Sequence, residues 1–142
     1  MFTVNLIGTV LRKQEIDTGL YAYDCAGYFG NTCGNPAPTW RHLARFSWET
    51  PFNVVLSVGW RMIGRVTVDD GNPNPALSTP ANFALDKINF IDTIPAIHYM
   101  DLGATWKLRK GFQIVGGINN IFDKEPPLGV GQSNNDYATG FY

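Results

Sequence analysis

The chain has 142 residues and a formal net charge of −1 at pH 7. The length suits one domain, and the balanced charge excludes the basic surface typical of nucleic-acid-binding proteins. Charged residues are only 16%, aromatic residues are 13%, and there are 15 glycines and 9 prolines. Few charges with many aromatics and turn formers predict an all-β chain.

The chain contains no run of 18 apolar residues, so we predict no transmembrane helix. No signal peptide is recognisable, so a secreted protein would require sequence before Met1.

Five segments alternate apolar residues with small or polar ones, which is the pattern of β-strands. Short turns join the second to the third and the fourth to the fifth, whereas long loops follow the first, third and fifth. We therefore predict an antiparallel up-and-down meander of about five long strands, with short turns at one end and long loops at the other. The segments are 2–11, 39–49, 53–66, 95–108 and 112–122.

Both cysteines lie in the first long loop, residues 12–38, which is rich in glycine and proline. Cys25 and Cys33 are eight residues apart across a glycine-rich turn, and no histidine or further cysteine completes a metal site. We predict a disulfide and hence an oxidising compartment. Two free thiols in a reducing compartment are the alternative.

The strands have the length and the two-faced pattern of the wall of a transmembrane β-barrel. Trp40 and Trp48 are separated by about 26 Å along a strand, or roughly 20 Å of height after tilting, which is near the thickness of the apolar band. We predict two aromatic girdles in contact with outer-membrane lipid. Aromatic residues also fill the cores of soluble β-sandwiches, so that alternative stays open. The four tryptophans on the apolar faces are Trp40, Trp48, Trp60 and Trp106.

The fifth strand runs into the segment INNIFDKEP, residues 118–126. This segment resembles the N-[NL]-[FIL]-F-[DN]-[KR]-x-P motif near the end of TonB-dependent outer-membrane receptors. The hairpin at 98–122 looks like the same family's penultimate strand pair, and DYATGFY at the end of the chain is similar to its lead-in to the last strand. The positions that match the motif are Asn119, Asn120, Phe122, Asp123, Lys124 and Pro126.

The resemblance implies a 22-stranded, monomeric barrel in the bacterial outer membrane with an N-terminal plug in its lumen. It implies energy-coupled uptake of a scarce nutrient, such as an iron siderophore, cobalamin or an oligosaccharide, driven by the TonB complex. Residues 1–142 would then form part of the C-terminal barrel segment, without the plug, the TonB-contacting box or the last strand.

Four arginines recur on the polar faces of the second and third strands. We consider two roles for them: a basic patch that binds an anionic part of a ligand, or salt bridges and water contacts to the plug. The pattern favours the second role. We also expect Arg41 and Arg61 to lie near each other in the hairpin. The four residues are Arg41, Arg45, Arg61 and Arg65.

Other polar residues on the strands have simpler interpretations. We interpret Asp101 and Lys107 as contacts between the wall and the plug. His42 and His98 lie on the apolar faces toward the long-loop end, where contact with lipid headgroups is favoured over a two-histidine metal site.

The second long loop contains four aspartates without the D-x-D-x-D-G spacing of a calcium loop, so we predict a solvated loop there. We consider a brief helical turn in 80–88 and do not predict it. No nucleophile, metalloprotease or phosphate-loop motif is present, so we predict no enzyme, cofactor or metal. The four aspartates are Asp69, Asp70, Asp86 and Asp92.

Two further functional classes stay open besides the TonB-dependent transporter. A passive porin would share the barrel wall, and only upstream sequence encoding a plug would separate it from a transporter. A soluble β-sandwich that binds a ligand is less favoured, because its exposed faces should carry more Lys and Glu.

Overall fold

A computed structural model describes residues 1–30, 32–74, 93–108 and 111–126. Within them the protein is all-β, and the only helical element described is one 3-10 turn, η1, at Asp69–Gly71. No described helix has the length and apolarity to span a bilayer. The strands are β1 (Phe2–Val10), β2 (Glu15–Asp17), β3 (Ala22–Asp24), β4 (Tyr28–Phe29), β5 (Trp40–Glu49), β6 (Val54–Ile63), β7 (Val66–Val68), β8 (Thr93–Ile94), β9 (Ile97–Lys107) and β10 (Gln113–Ile118).

The five long strands form one antiparallel sheet in the order β1-β5-β6-β9-β10, which confirms the predicted meander. Each predicted strand overlaps one strand of this sheet. The third ends earlier than expected, at Ile63 rather than residue 66, and the fifth ends at Ile118 rather than 122. The reason for the second shortening is the left-handed backbone at Asn120 (φ 51°), which an extended strand cannot accommodate.

Two tight turns connect neighbouring strands of the large sheet. In the first, the Thr50 backbone N–H donates to the Val54 carbonyl (2.8 Å), and the left-handed backbone of Asn53 (φ 59°) reverses the chain. In the second, the Leu108 N–H donates to the Phe112 carbonyl (2.8 Å), and Gly111 has φ 81°. Both turns lie where the sequence predicts them.

Hydrogen bonds near these turns establish which residues face each other. The bond between Thr50 and Val54 places Arg61 opposite Leu43, and the bond from the Lys107 N–H to the Asn53 carbonyl (2.9 Å) places Arg61 opposite Tyr99 on the other side. Even-numbered residues of β5, β6 and β9 therefore share one face, which we call the apolar face. Odd-numbered residues share the other, which we call the polar face.

The chain divides into two compact units. The first contains Met1–Gly8, Arg41–Met62 and His98–Glu125. The second is formed by the described parts of 9–40 and 63–97, and it contains short strands within segments that the sequence assigns to long loops. It holds a two-stranded sheet (β2-β3) and a three-stranded sheet (β4-β7-β8), in which β4 and β7 are parallel.

The second unit has two small cores of its own. One contains Tyr23, Cys25 and Cys33, and the other contains Phe29, Val66 and Ile94. Short apolar stretches within predicted loops are easily missed, because two or three residues are too few to show a period. The helical turn considered at 80–88 and the segment DYATGFY lie outside the described residues.

Candidate functional site

The polar face centres on an ion pair between neighbouring strands. Arg61 of β6 donates from Nε to Asp101 Oδ2 and from a terminal nitrogen to Asp101 Oδ1, both at 3.1 Å. The two parallel bonds give the fork geometry that arginine forms with a carboxylate. The Arg61 guanidinium also lies 5.2 Å from the ring centroid of the buried Tyr99, in cation–π range. Three contacts thus hold Arg61 in one orientation.

Asp101 also connects this pair to the end of β10. The Asn120 backbone N–H donates to Asp101 Oδ1 at 2.8 Å, so the carboxylate accepts three hydrogen bonds. Arg45 is the second positive charge that acts on Asp101. It lies opposite Gly59, and the Asp101 side chain lies against this glycine, 3.5 Å from where a Cβ atom would be.

The family-like segment 118–126 has a specific local geometry. The Asn120 side chain donates to the Lys124 carbonyl (3.0 Å) and accepts from the Lys124 N–H (3.1 Å), which closes a loop from residue 120 to residue 124. Asn120 and Asp123 both have left-handed backbones, a conformation that Asn and Asp adopt more readily than other residues. Phe122 and Pro126 are exposed, and so is Asn119. The motif therefore encodes a loop that leaves β10 and is fastened to Asp101.

The remaining predicted polar-face residues are less restrained. Arg41 is exposed and lies diagonally across from Arg61, as expected, and Arg65 is exposed beyond the end of β6. Neither forms an ion pair with another described residue. Lys107 binds Glu49 at 3.0 Å. Asp101 and Lys107, interpreted from the sequence as contacts to a plug, thus have partners within the sheet itself.

The tryptophans occupy the apolar face at different heights. Trp48 stacks on Phe2 near the turn end, with ring centroids 5.8 Å apart. Trp106 is exposed near the same end, while Trp60 lies between His42 and His98 farther along the strands. Trp40 is 38% exposed at the start of β5.

The predicted disulfide is present in the second unit. Cys25 and Cys33 are bonded, with Cα atoms 5.4 Å apart, and both are buried beside Tyr23. No further cysteine is free. The bond closes the segment that leads into and out of β4.

Asp69 differs from the sequence expectation. It is only 4% exposed, and its Oδ2 accepts hydrogen bonds from the backbone N–H groups of Thr32 (2.7 Å) and Cys33 (2.9 Å). Its carboxylate packs against Gly30, where a Cβ atom would overlap it. The prediction of a solvated loop is therefore wrong at Asp69, because the buried carboxylate satisfies two backbone donors. Asp86 and Asp92, and the side chain of Asp70, lie outside what is described.

Sequence reasoning missed several side chains that hold the second unit together. Asn72 donates to the Asp24 carbonyl (2.8 Å), and Asn74 donates to the Ala22 carbonyl (3.1 Å). Hydrogen bonds from the Gln14 and Ala26 N–H groups lower the pKa of Asp24 from its usual 3.8. The abundance of Asn and Asp in these loops could have indicated such bonds, since the side chains of Asn and Asp bond readily to backbone groups.

Among the described residues, no three His, Cys, Asp or Glu side chains are grouped so as to hold a metal ion. Comparisons of the chain with protein-family models, with curated proteins and with solved structures found no match. The function must therefore be inferred from residues 118–126 and from the two faces of the large sheet.

Proposed function

We propose that the chain is a wall segment of an outer-membrane β-barrel of the TonB-dependent receptor type. In the whole protein, such a barrel would import a scarce nutrient, such as a siderophore, cobalamin or an oligosaccharide, with energy from the TonB complex. The proposal combines the resemblance of residues 118–126 to the receptor motif with the chemistry of the two sheet faces.

The observation that carries the proposal is the exposed apolar face of the antiparallel sheet. Phe2 is 77% exposed and Trp106 is 49% exposed. Full burial of one large apolar side chain contributes about 1.5–3 kcal/mol, so a face of this size in water is strongly unfavourable, whereas lipid would cover it. Exposed members of this face are Phe2, Val4, Leu6, Phe46, Trp48, Leu56, Leu102, Trp106, Ile114 and Ile118.

The polar face supports the same proposal from the other side of the sheet. Four of its charges are paired across the sheet, Arg61 with Asp101 and Lys107 with Glu49. A barrel wall alternates lipid-facing apolar residues with polar residues that face the lumen. The strands that carry these pairs have 10 or 11 residues, which suits a tilted membrane strand.

The test is the behaviour of the intact gene product, expressed with any flanking sequence that its gene encodes. A receptor barrel is expected in the outer-membrane fraction, extractable only with detergent, and faster on a gel when unheated than when boiled. Recovery of a compact monomer in the aqueous fraction would instead favour the soluble β-sandwich and refute the barrel.

For the ligand, we propose that two of the four predicted arginines, Arg41 and Arg45 on the polar face, contribute an anion-binding surface. Both are exposed and form no described ion pair, so their guanidinium groups remain accessible to a carboxylate or phosphate. Citrate binding, with and without ferric iron, should weaken when Arg41 and Arg45 are both replaced by Gln. The control is Arg12→Gln, an exposed arginine in the first loop. Equal affinity in all three proteins would refute the role.

A passive porin is the second candidate, because paired charges on a polar face also suit a water-filled channel. Ion conductance in planar bilayers distinguishes the two functions. A porin conducts continuously, whereas an energy-coupled receptor is closed until its plug moves and its uptake requires the TonB complex.

A further inference from the structure

Three aromatic rings on the apolar face form a cluster, which we call the His42–Trp60–His98 cluster. The His42 ring meets the Trp60 indole edge-on, with centroids 4.5 Å apart and planes at 83°. The His98 ring lies on the other side, 5.9 Å away and inclined by 22°. One strand supplies each ring, namely β5, β6 and β9, so the sheet register itself assembles the cluster.

A hydrogen bond determines which nitrogen of His98 carries the proton. The indole Nε1–H of Trp60 donates to His98 Nδ1 at 3.2 Å. An indole can only donate, so Nδ1 must be the unprotonated, accepting nitrogen. In the neutral imidazole the proton is then on Nε2, and this N–H is the donor that His98 can offer to another molecule. His98 is exposed, so that donor faces the surroundings of the sheet.

The geometry does not suit a metal ion. The indole separates the two imidazoles, so they cannot act as adjacent ligands of one ion, and no third ligand from His, Cys, Asp or Glu joins them within the described residues. No Asp or Glu occupies an even-numbered position of β5, β6 or β9. An oxyanion approaching His98 across the apolar face therefore meets no negative side chain from these three strands.

We propose that the His42–Trp60–His98 cluster is a binding site for the phosphate group of a membrane lipid. His98 Nε2–H donates to a phosphate oxygen, Trp60 positions the His98 ring through Nδ1, and His42 packs against the indole. The proposal rests on the proposed membrane location, because the cluster lies on the face that lipid would cover. Trp60, which bonds to His98, is itself one of the predicted girdle tryptophans, which places the donor near that girdle rather than mid-membrane.

The experiment uses the intact protein in uncharged maltoside micelles, with dihexanoyl-phosphatidylglycerol as the probe. Binding is followed by native mass spectrometry, and ¹⁵N-histidine NMR reports which His98 nitrogen is protonated. We expect His98→Phe to weaken lipid binding about tenfold, as for loss of one hydrogen bond to a charged group. The control is Phe46→Leu, a change at an exposed residue of the apolar face outside the cluster, and its affinity should stay within about twofold of the wild type.

The Trp60→Phe variant tests whether Trp60 positions the His98 ring or only supports the fold. Without the indole donor, we expect the His98 spectrum to change from the Nε2–H form to a mixture of both tautomers, and lipid affinity to fall. An unchanged wild-type tautomer in Trp60→Phe would refute the positioning role. Unchanged lipid affinity in His98→Phe would refute the site.

Two further arms identify the source of the phosphate and separate this proposal from the previous one. If millimolar inorganic phosphate displaces the lipid and binds alone with equal affinity, the site takes free phosphate and the lipid assignment fails. A protein that stays in the aqueous phase without detergent contradicts the membrane location. If the protein is bound to micelles and His98→Phe keeps the wild-type lipid affinity, the lipid site is contradicted but the membrane location is not.

Discussion

Replacing Asp69 by alanine should open the disulfide-bonded loop of the second unit. The change removes the acceptor for the N–H groups of Thr32 and Cys33 and leaves the Cys33 donor in a buried position. Leaving a buried donor unsatisfied costs about 1–3 kcal/mol. For the two bonds together, we expect loop opening to become easier by about 2–4 kcal/mol, since Thr32 is exposed and regains water.

The disulfide itself provides the assay. Cys25 is 0% exposed and Cys33 is 4% exposed, so dithiothreitol can reduce the bond only when the loop opens. The rate of native-state reduction, measured by alkylation of the new thiols, therefore reports the opening equilibrium when reclosing is fast. A change of about 2–4 kcal/mol corresponds to roughly 30- to 1,000-fold faster reduction.

Two further variants test whether faster reduction of the disulfide is specific to the Asp69 contact. Asp17→Ala removes a carboxylate that accepts one N–H, from Gly19 at 2.7 Å, at an exposed turn, and should change the rate by less than about threefold. Gly30→Ala puts a methyl group into the space of the Asp69 carboxylate and should accelerate reduction as Asp69→Ala does. If Asp69→Ala is reduced at the wild-type rate, the carboxylate does not hold the loop and the reasoning fails.

Three further predictions concern stability. Replacing Cys25 and Cys33 by Ser should lower the free energy of unfolding of the second unit by about 2–3 kcal/mol in urea titrations, as expected for a short closed loop; an unchanged midpoint would contradict this. Because the folded-state pKa of Asp24 is lowered, its contribution is complete above the unfolded pKa and is lost as pH falls through the folded value, so Asp24→Asn should flatten the acid dependence of unfolding below about pH 4; a parallel acid profile would count against it. A double-mutant cycle of Arg61→Ala and Asp101→Ala should give a coupling energy of about 0.5–3 kcal/mol by unfolding in detergent, and strict additivity would exclude the pair as a stabilising contact.

The large sheet could be predicted because its signal is regular. Alternation over nine to eleven residues in β1, β5 and β9 gives both the strand and its two faces, and short turns require antiparallel neighbours. Contacts between even-numbered residues, such as Trp48 with Phe2 and Trp60 with His98, lie on the expected face. The spacing of Cys25 and Cys33 in one glycine-rich loop likewise predicted their disulfide.

The partners of individual charges could not be predicted in the same way. Alternation places Arg61 and Asp101 on one face but does not give the register between β6 and β9, which depends on the turn and on the long loop between them. For this reason the sequence suggests an outside partner for Asp101 and Lys107, although Arg61 and Glu49 lie within reach in the sheet. The role of Asn120 in closing the loop to Lys124 depends on its left-handed backbone, which the motif alone does not specify.

By itself, the sequence determined the strand period, the two faces of the sheet, the turns and the disulfide, because each depends on residues that are close along the chain. Only the tertiary structure decided how distant polar groups pair. Asp69 becomes a buried acceptor for a loop 36 or 37 residues away, and Trp60 orients His98 across 38 residues. Such contacts join segments whose separation along the chain carries no periodic signal. At Asp69 the physical basis is the cost of leaving a buried donor or acceptor unpaired, which acts only once the fold has brought the partners together.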